Sequence, residues 1–125
     1  MPPLEPNRLI RTETRPLEGL SMLRHEVAAF IKDLRREASS LSSQQNGTPV
    51  TALEELLWQY LLNVHPRTRL LAFAAAVDIC PRLAVQRLDD AHTIASDCPL
   101  LRALFWSATR RLRLFGWLSP RCTEQ

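Results

Sequence analysis

The side chains with chemical reach in this chain of 125 residues are three histidines, three cysteines and two pairs of adjacent carboxylates. His25, His65 and His92 stand apart, and none has a partner at the spacing that sets two ligands on one helix face for a metal. No HExxH, GxSxG, P-loop or GxGxxG pattern occurs. Asp89 and Asp90 are neighbours, as are Glu54 and Glu55. On a helix, neighbours point about 100° apart, so neither pair forms an acid/base couple and a solvated face is expected for both. Cys98 precedes a proline at an expected helix start, a setting in which reactive thiols occur, but no histidine is assignable beside it. His92 projects between Val85 and Leu88 and is expected as a packed histidine with one nitrogen satisfied. The expectation is therefore a protein without catalytic residues, metal or cofactor, and not an enzyme.

The patterned residues lie near the C-terminal end. Arg102, Trp106, Arg110, Arg113 and Trp117 step by four, four, three and four, which lines them along one helix face. Leu101, Leu104, Phe105, Ala108, Leu112 and Phe115 occupy the other side and are expected to meet a core. Arg111 projects toward that apolar side and needs a partner or a route to solvent. Trp117 follows Gly116, so it joins the face only if the helix continues. The charge is segregated in the same way. Residues 1–97 carry eleven basic and twelve acidic side chains, whereas residues 98–125 carry five arginines and one glutamate. Lys32 is the one lysine among sixteen basic residues. Arginine suits bidentate and stacked contacts, although a GC-rich coding sequence is the plainer explanation of the bias.

These residues need helices to position them. Three glycines against nine prolines, with aliphatic residues and alanine dominant, favour helix over sheet. Residues 17–41 place Leu20, Leu23, Val27, Phe30, Ile31, Leu34, Ala38 and Leu41 on one stripe. The run from Ser39 to Gly47 reads as a flexible loop. Prolines then stand at 49, 66, 81 and 99, and each can open a helix, because a first-turn position has no backbone bond for proline to forfeit. Helices are expected over about 51–64, 67–79, 81–96 and 99–115, with Gly116 as the last stop. Thr51 and Glu54 offer a capping box that would move the first start by two residues. The third helix in chain order, RTRLLAFAAAVDI, is apolar nearly all round and belongs in the middle of a bundle. Trp58 and Leu62 add a second apolar strip to the helix before it, either a partner surface or a strip covered by the first helix and the arm. The proline spacing lacks the period and the residue pattern of a tetratricopeptide array, so no repeat is read.

The fold class expected is all-α, a compact bundle of about five short-to-medium helices with an extended N-terminal arm. Residues 1–16 would be the arm, 17–118 one helical domain and 119–125 a flexible tail. The opening MPPLEP has no apolar run of a secretory signal, and no stretch is long enough to cross a bilayer. Cys80, Cys98 and Cys122 are odd in number and share no CxxC spacing, which fits a reducing, cytoplasmic setting better than a disulfide framework. The function expected is a helical subunit or adaptor that binds another protein, or itself, through Arg102, Trp106, Arg110, Arg113 and Trp117, with Trp58 a second anchor. The alternative is a small basic nucleic-acid-binding protein, with arginines on phosphates and tryptophans stacked on unpaired bases.

Overall fold

The computed structural model describes the backbone of residues 4–45 and 48–118 and the side chains of residues 19–44, 48 and 50–118. Among the described residues there are six helices: α1 Leu4–Gln45, α2 Pro49–Leu61, α3 Pro66–Ile79, α4 Pro81–Gln86, α5 Leu88–Ala95 and α6 Pro99–Leu114. The all-α bundle read from the sequence is the fold observed.

Prolines set the punctuation. Each of α2, α3, α4 and α6 begins on its proline, at a position whose N–H would have no intrahelical partner. At α2 the side chain of Thr48 caps the helix by accepting from the Thr51 N–H at 3.2 Å. The start therefore stays at Pro49 and does not slip to Thr51.

α1 is longer than its periodic stripe at both ends. The segment expected as an extended arm is helical backbone from Leu4 to Pro16. Pro6 sits in the first turn, where its missing N–H costs no bond, and Pro16 forfeits a single one. Residues 1–3 lie outside the described residues. The serine-rich run expected as a loop is helical through Gln45. Leu41 continues the stripe of Leu34 and Ala38 onto the core, and that packing outweighs the weak helix preference of the serines. Asn46, Gly47 and the tail over 119–125 lie outside the described residues.

α3 is the centre. Leu70 and the run Ala72–Val77 are buried, and α3 packs against each of the other five helices. Its alanines let those neighbours approach closely. The fourth expected helix is divided at Arg87, whose backbone departs from helical geometry (φ −107°, ψ 16°). The Arg87 carbonyl accepts from Ala91 at 3.0 Å, so α5 restarts at once with a shifted phase. Asp90 fixes this corner, accepting from Arg87 at 3.0 Å and from Arg69 of α3 at 3.1 Å. Arg69 also donates to the Asn63 carbonyl at 2.8 Å and so ties the α2–α3 turn to α5.

Candidate partner-binding site

α6 is clamped at its end by backbone bonds. The Gly116 N–H donates to the Arg113 carbonyl at 3.0 Å and the Trp117 N–H to the Leu112 carbonyl at 2.9 Å. Gly116 takes a positive φ of 82°, the left-handed turn that ends a helix in this pattern. The inner side of α6 seats Leu104, Phe105, Ala108, Thr109 and Leu112 in the core. Thr109 is the one buried polar residue among those described, and its hydroxyl is satisfied by the Trp106 carbonyl at 3.1 Å.

The outer side gathers four of the six expected contact residues. Arg102 and Arg110 are exposed, Trp106 is 47% exposed, and Arg113 is half-buried. The Arg113 guanidinium lies 5.9 Å from the centroid of the Trp106 ring. Such a contact stabilises by about 0.5–1 kcal/mol near the surface. The ring is braced from beneath. Phe105 meets it edge-on at 5.2 Å and stacks at 5.6 Å on Phe73 of α3. Trp106 is thus an exposed ring with a rigid connection to the bundle centre. Among the described residues, neither Arg102 nor Arg110 has a carboxylate within salt-bridge distance.

The other two expected residues lie elsewhere. Trp117 follows the glycine turn, so the helix does not carry it onto the Arg/Trp face; it is 46% exposed beside the end of α6. Trp58 lies half-buried against the core on α2, with Leu62 49% exposed four residues on. It belongs to a separate patch. Arg111 finds the partner it needs in Asp78 of α3, to which its guanidinium donates.

His92 departs from expectation. It is exposed, with its ring 5.3 Å from Phe105 and 6.1 Å from Trp106. The phase shift at Arg87 turns it out of the apolar strip that an unbroken helix would have given it. It forms, with Leu88, Trp106, Arg113 and Leu118, the wall of a cleft of about 190 Å³ between α5 and α6. The remaining candidate chemistry stays dispersed. His25 donates through Nδ1 to the Ser21 carbonyl at 2.8 Å, and the His65 N–H donates to Asn63 Oδ1 at 2.9 Å. Cys80 and Cys98 occupy helix junctions as free thiols. Among the described residues no three His, Cys, Asp or Glu side chains gather as a metal site would require. Nor is any helix among them long and apolar enough to cross a membrane.

One residue of this surface is invisible to an α6-only pattern. Arg24 of α1 donates to the Ser107 hydroxyl at 3.0 Å and so adds a cation to the edge of the Arg/Trp face. Its spacing within α1 marks it only as off the core stripe; the partner is eighty-three residues away. Comparison of the chain with protein-family models, with curated proteins and with solved structures finds no match.

Proposed function

We propose that this chain is a non-enzymatic helical subunit or adaptor that binds a protein partner through the outer face of α6. The observation that carries the reading is Trp106, half-exposed, braced by Phe105 and flanked by arginines. Tryptophan and arginine are the residues on which interface energy concentrates. A ring already held in place loses little further freedom on binding. Arg102 and Arg110 supply the polar rim, and Trp58 with Leu62 offers a second anchor at a distance from it. Free Cys80 and Cys98 fit a cytoplasmic, reducing setting.

The test is the triple change Arg102→Ala, Trp106→Ala and Arg110→Ala. All three side chains are exposed, so the far-ultraviolet spectrum should be unchanged. Recovery of the native partner in a pull-down from the source cells, read by mass spectrometry, should be lost. Recovery equal to that of the unaltered chain removes the reading.

A second reading, binding to nucleic acid, is favoured by Arg102 and Arg110, which form no ion pair among the described residues. A titration of single- and double-stranded DNA and RNA against salt separates the two. Affinity that falls steeply with salt supports the nucleic-acid reading. Absence of binding at low salt excludes it.

A further inference from the structure

The seam between α1 and α6 holds more than the single bond from Arg24. A Cβ at Gly19 would meet Leu100 at 3.0 Å, Arg24 reaches Ser107, and Val27 and Ile31 share a hollow with Leu104 and Arg111. Residue numbers rise together on both sides, so the two helices run parallel. Two hollows lie along the seam. One of about 280 Å³ is floored by Val27, Ile31 and Leu104. The next, of about 420 Å³, is walled by Trp106 and Leu114. Arg24, Ser107 and Arg111 border both, which joins them into one groove. Small-molecule sites enclose roughly 300–1,000 Å³ and surround their ligand. One hollow falls just below that range and the other near its lower end, and both lie open at a helix–helix seam, which suits successive side chains of a polypeptide.

The charge around this groove has one sign. Arg24 of α1 lines both hollows, while Lys32 and Arg35 follow on the same side of the helix, Arg35 beside Val50 and Leu53 of α2. Glu26, Asp33 and Glu37 fall on the opposite flank, where Glu26 pairs with Arg67 of α3 at 2.9 Å. Across the groove α6 presents Arg110. The one carboxylate in the lining is Asp78, and Arg111 already holds it. Among the described residues no carboxylate pairs with Arg24, Lys32, Arg35 or Arg110.

We infer that the α1–α6 groove binds an acidic amphipathic helix of a partner protein. The inference rests on the reading of α6 as a protein-binding face. Apolar anchors spaced i, i+4 and i+7 on the incoming helix enter the two hollows. Its flanking carboxylates meet Arg24 on one wall and Arg110 on the other. The floor argues against nucleic acid. It is aliphatic, and the one ring beside it has Arg113 over it and Phe105 and His92 against it, which leaves no run of free rings for bases to stack on. A second copy of this chain is a poorer match, because Glu26 in its acidic strip is engaged by Arg67.

A display library of helical peptides about 18 residues long, randomised throughout, is selected on the immobilised full-length chain. The expected result is enrichment of aspartate and glutamate flanking apolar residues at helical spacing. Fluorescence anisotropy with the enriched peptides should show binding weakened at least about tenfold by Arg24→Glu with Arg110→Glu. A lysine-for-glutamate version of the peptide should restore binding to that double variant. Arg82→Glu, on the far side of the bundle, should leave it unchanged. The inference is overturned if no peptide is enriched, if basic or uncharged peptides are selected, or if a single-stranded RNA displaces the peptide and binds more tightly. It is also overturned if the selected peptides depend on Arg102 and Trp106 but not on Arg24. That last outcome leaves the protein-binding reading of α6 standing.

Discussion

α3 and α6 are of similar length and both cross the bundle, yet they use charge in opposite ways. The three charged residues of α3 are all engaged: Arg67 with Glu26, Arg69 with Asp90, and Asp78 with Arg111. Of the four arginines of α6, only Arg111 has a carboxylate among the described residues. A charge tied down within the fold serves the fold, whereas a charge left at an exposed position contributes little to stability. The apolar residues divide similarly. Phe73 of α3 is 1% exposed and Trp106 of α6 is 47% exposed, although the two are linked through Phe105. One helix organises the molecule and the other presents a surface.

The largest effect that would test this division is a matched pair of truncations. Phe73→Ala should cost about 3–5 kcal/mol, because a ring is removed from a site that cannot collapse around the void. Trp106→Ala should cost about 1 kcal/mol, chiefly the contacts with Arg113 and Phe105. Urea denaturation of the two variants measures both. Equal losses would show that Trp106 is a structural residue and break the comparison.

Next in size is Asp90→Ala. This carboxylate holds Arg69 and Arg87 at a half-buried site, and hydrogen bonds to charged partners contribute about 1.5–3 kcal/mol. We expect a loss of about 2 kcal/mol on that basis. Arg102→Ala, which removes a charge with no such partner, should change stability by less than about 0.5 kcal/mol. Thermal unfolding of the pair sharpens the contrast between engaged and free charge.

Much of this arrangement is legible before any coordinates. Pro49, Pro66, Pro81 and Pro99 mark four helix starts because the physics of a missing N–H is local. The all-apolar character of α3 marks it as central for a similarly direct reason. The face of Arg102, Trp106, Arg110 and Arg113 follows from helical spacing alone. Features that depend on two elements are not legible in this way. The break at Arg87 has no proline or glycine to announce it and coincides with the bonds from Asp90 to Arg87 and Arg69. That break is what turns His92 outward. Arg24 joins the site only through Ser107, a relation that no spacing within α1 encodes. The sorting of Arg24, Lys32 and Arg35 from Glu26, Asp33 and Glu37 is present in the sequence, but that Arg24 meets α6 while Arg35 stands beside α2 is decided by packing.

Gly116→Ala probes how α6 is ended. A Cβ there would meet nothing within 4 Å, so its cost is purely that of the left-handed backbone. That conformation costs a residue with a Cβ about 1–2 kcal/mol. Calorimetry should show a loss of that size. A loss well below it would mean that the end of α6 rearranges easily, and that Trp117 is free to rejoin the face it misses in this structure.

The smallest effect concerns the seam itself. Gly19 lies where α1 passes Leu100, and an added Cβ would come within 3.0 Å of Leu100 Cδ1 and 3.1 Å of Cδ2. Those atoms are the far end of a flexible, half-buried side chain, so a small rotation relieves the contact. Alanine also gains about 1 kcal/mol of helix propensity over glycine. The two effects should nearly cancel, leaving Gly19→Ala within about 0.5 kcal/mol of the unaltered chain. Ala75→Leu in α3 has no equivalent escape, since Ala75 is fully buried against rigid neighbours, and overpacking there should cost about 1–3 kcal/mol. If Gly19→Ala proved as costly as Ala75→Leu, the α1–α6 seam would be packed as tightly as the centre. The groove beside it would then be a rigid surface, its walls fixed before any partner arrives. A near-zero value instead means that Leu100 can yield and that the two walls can adjust around an incoming helix.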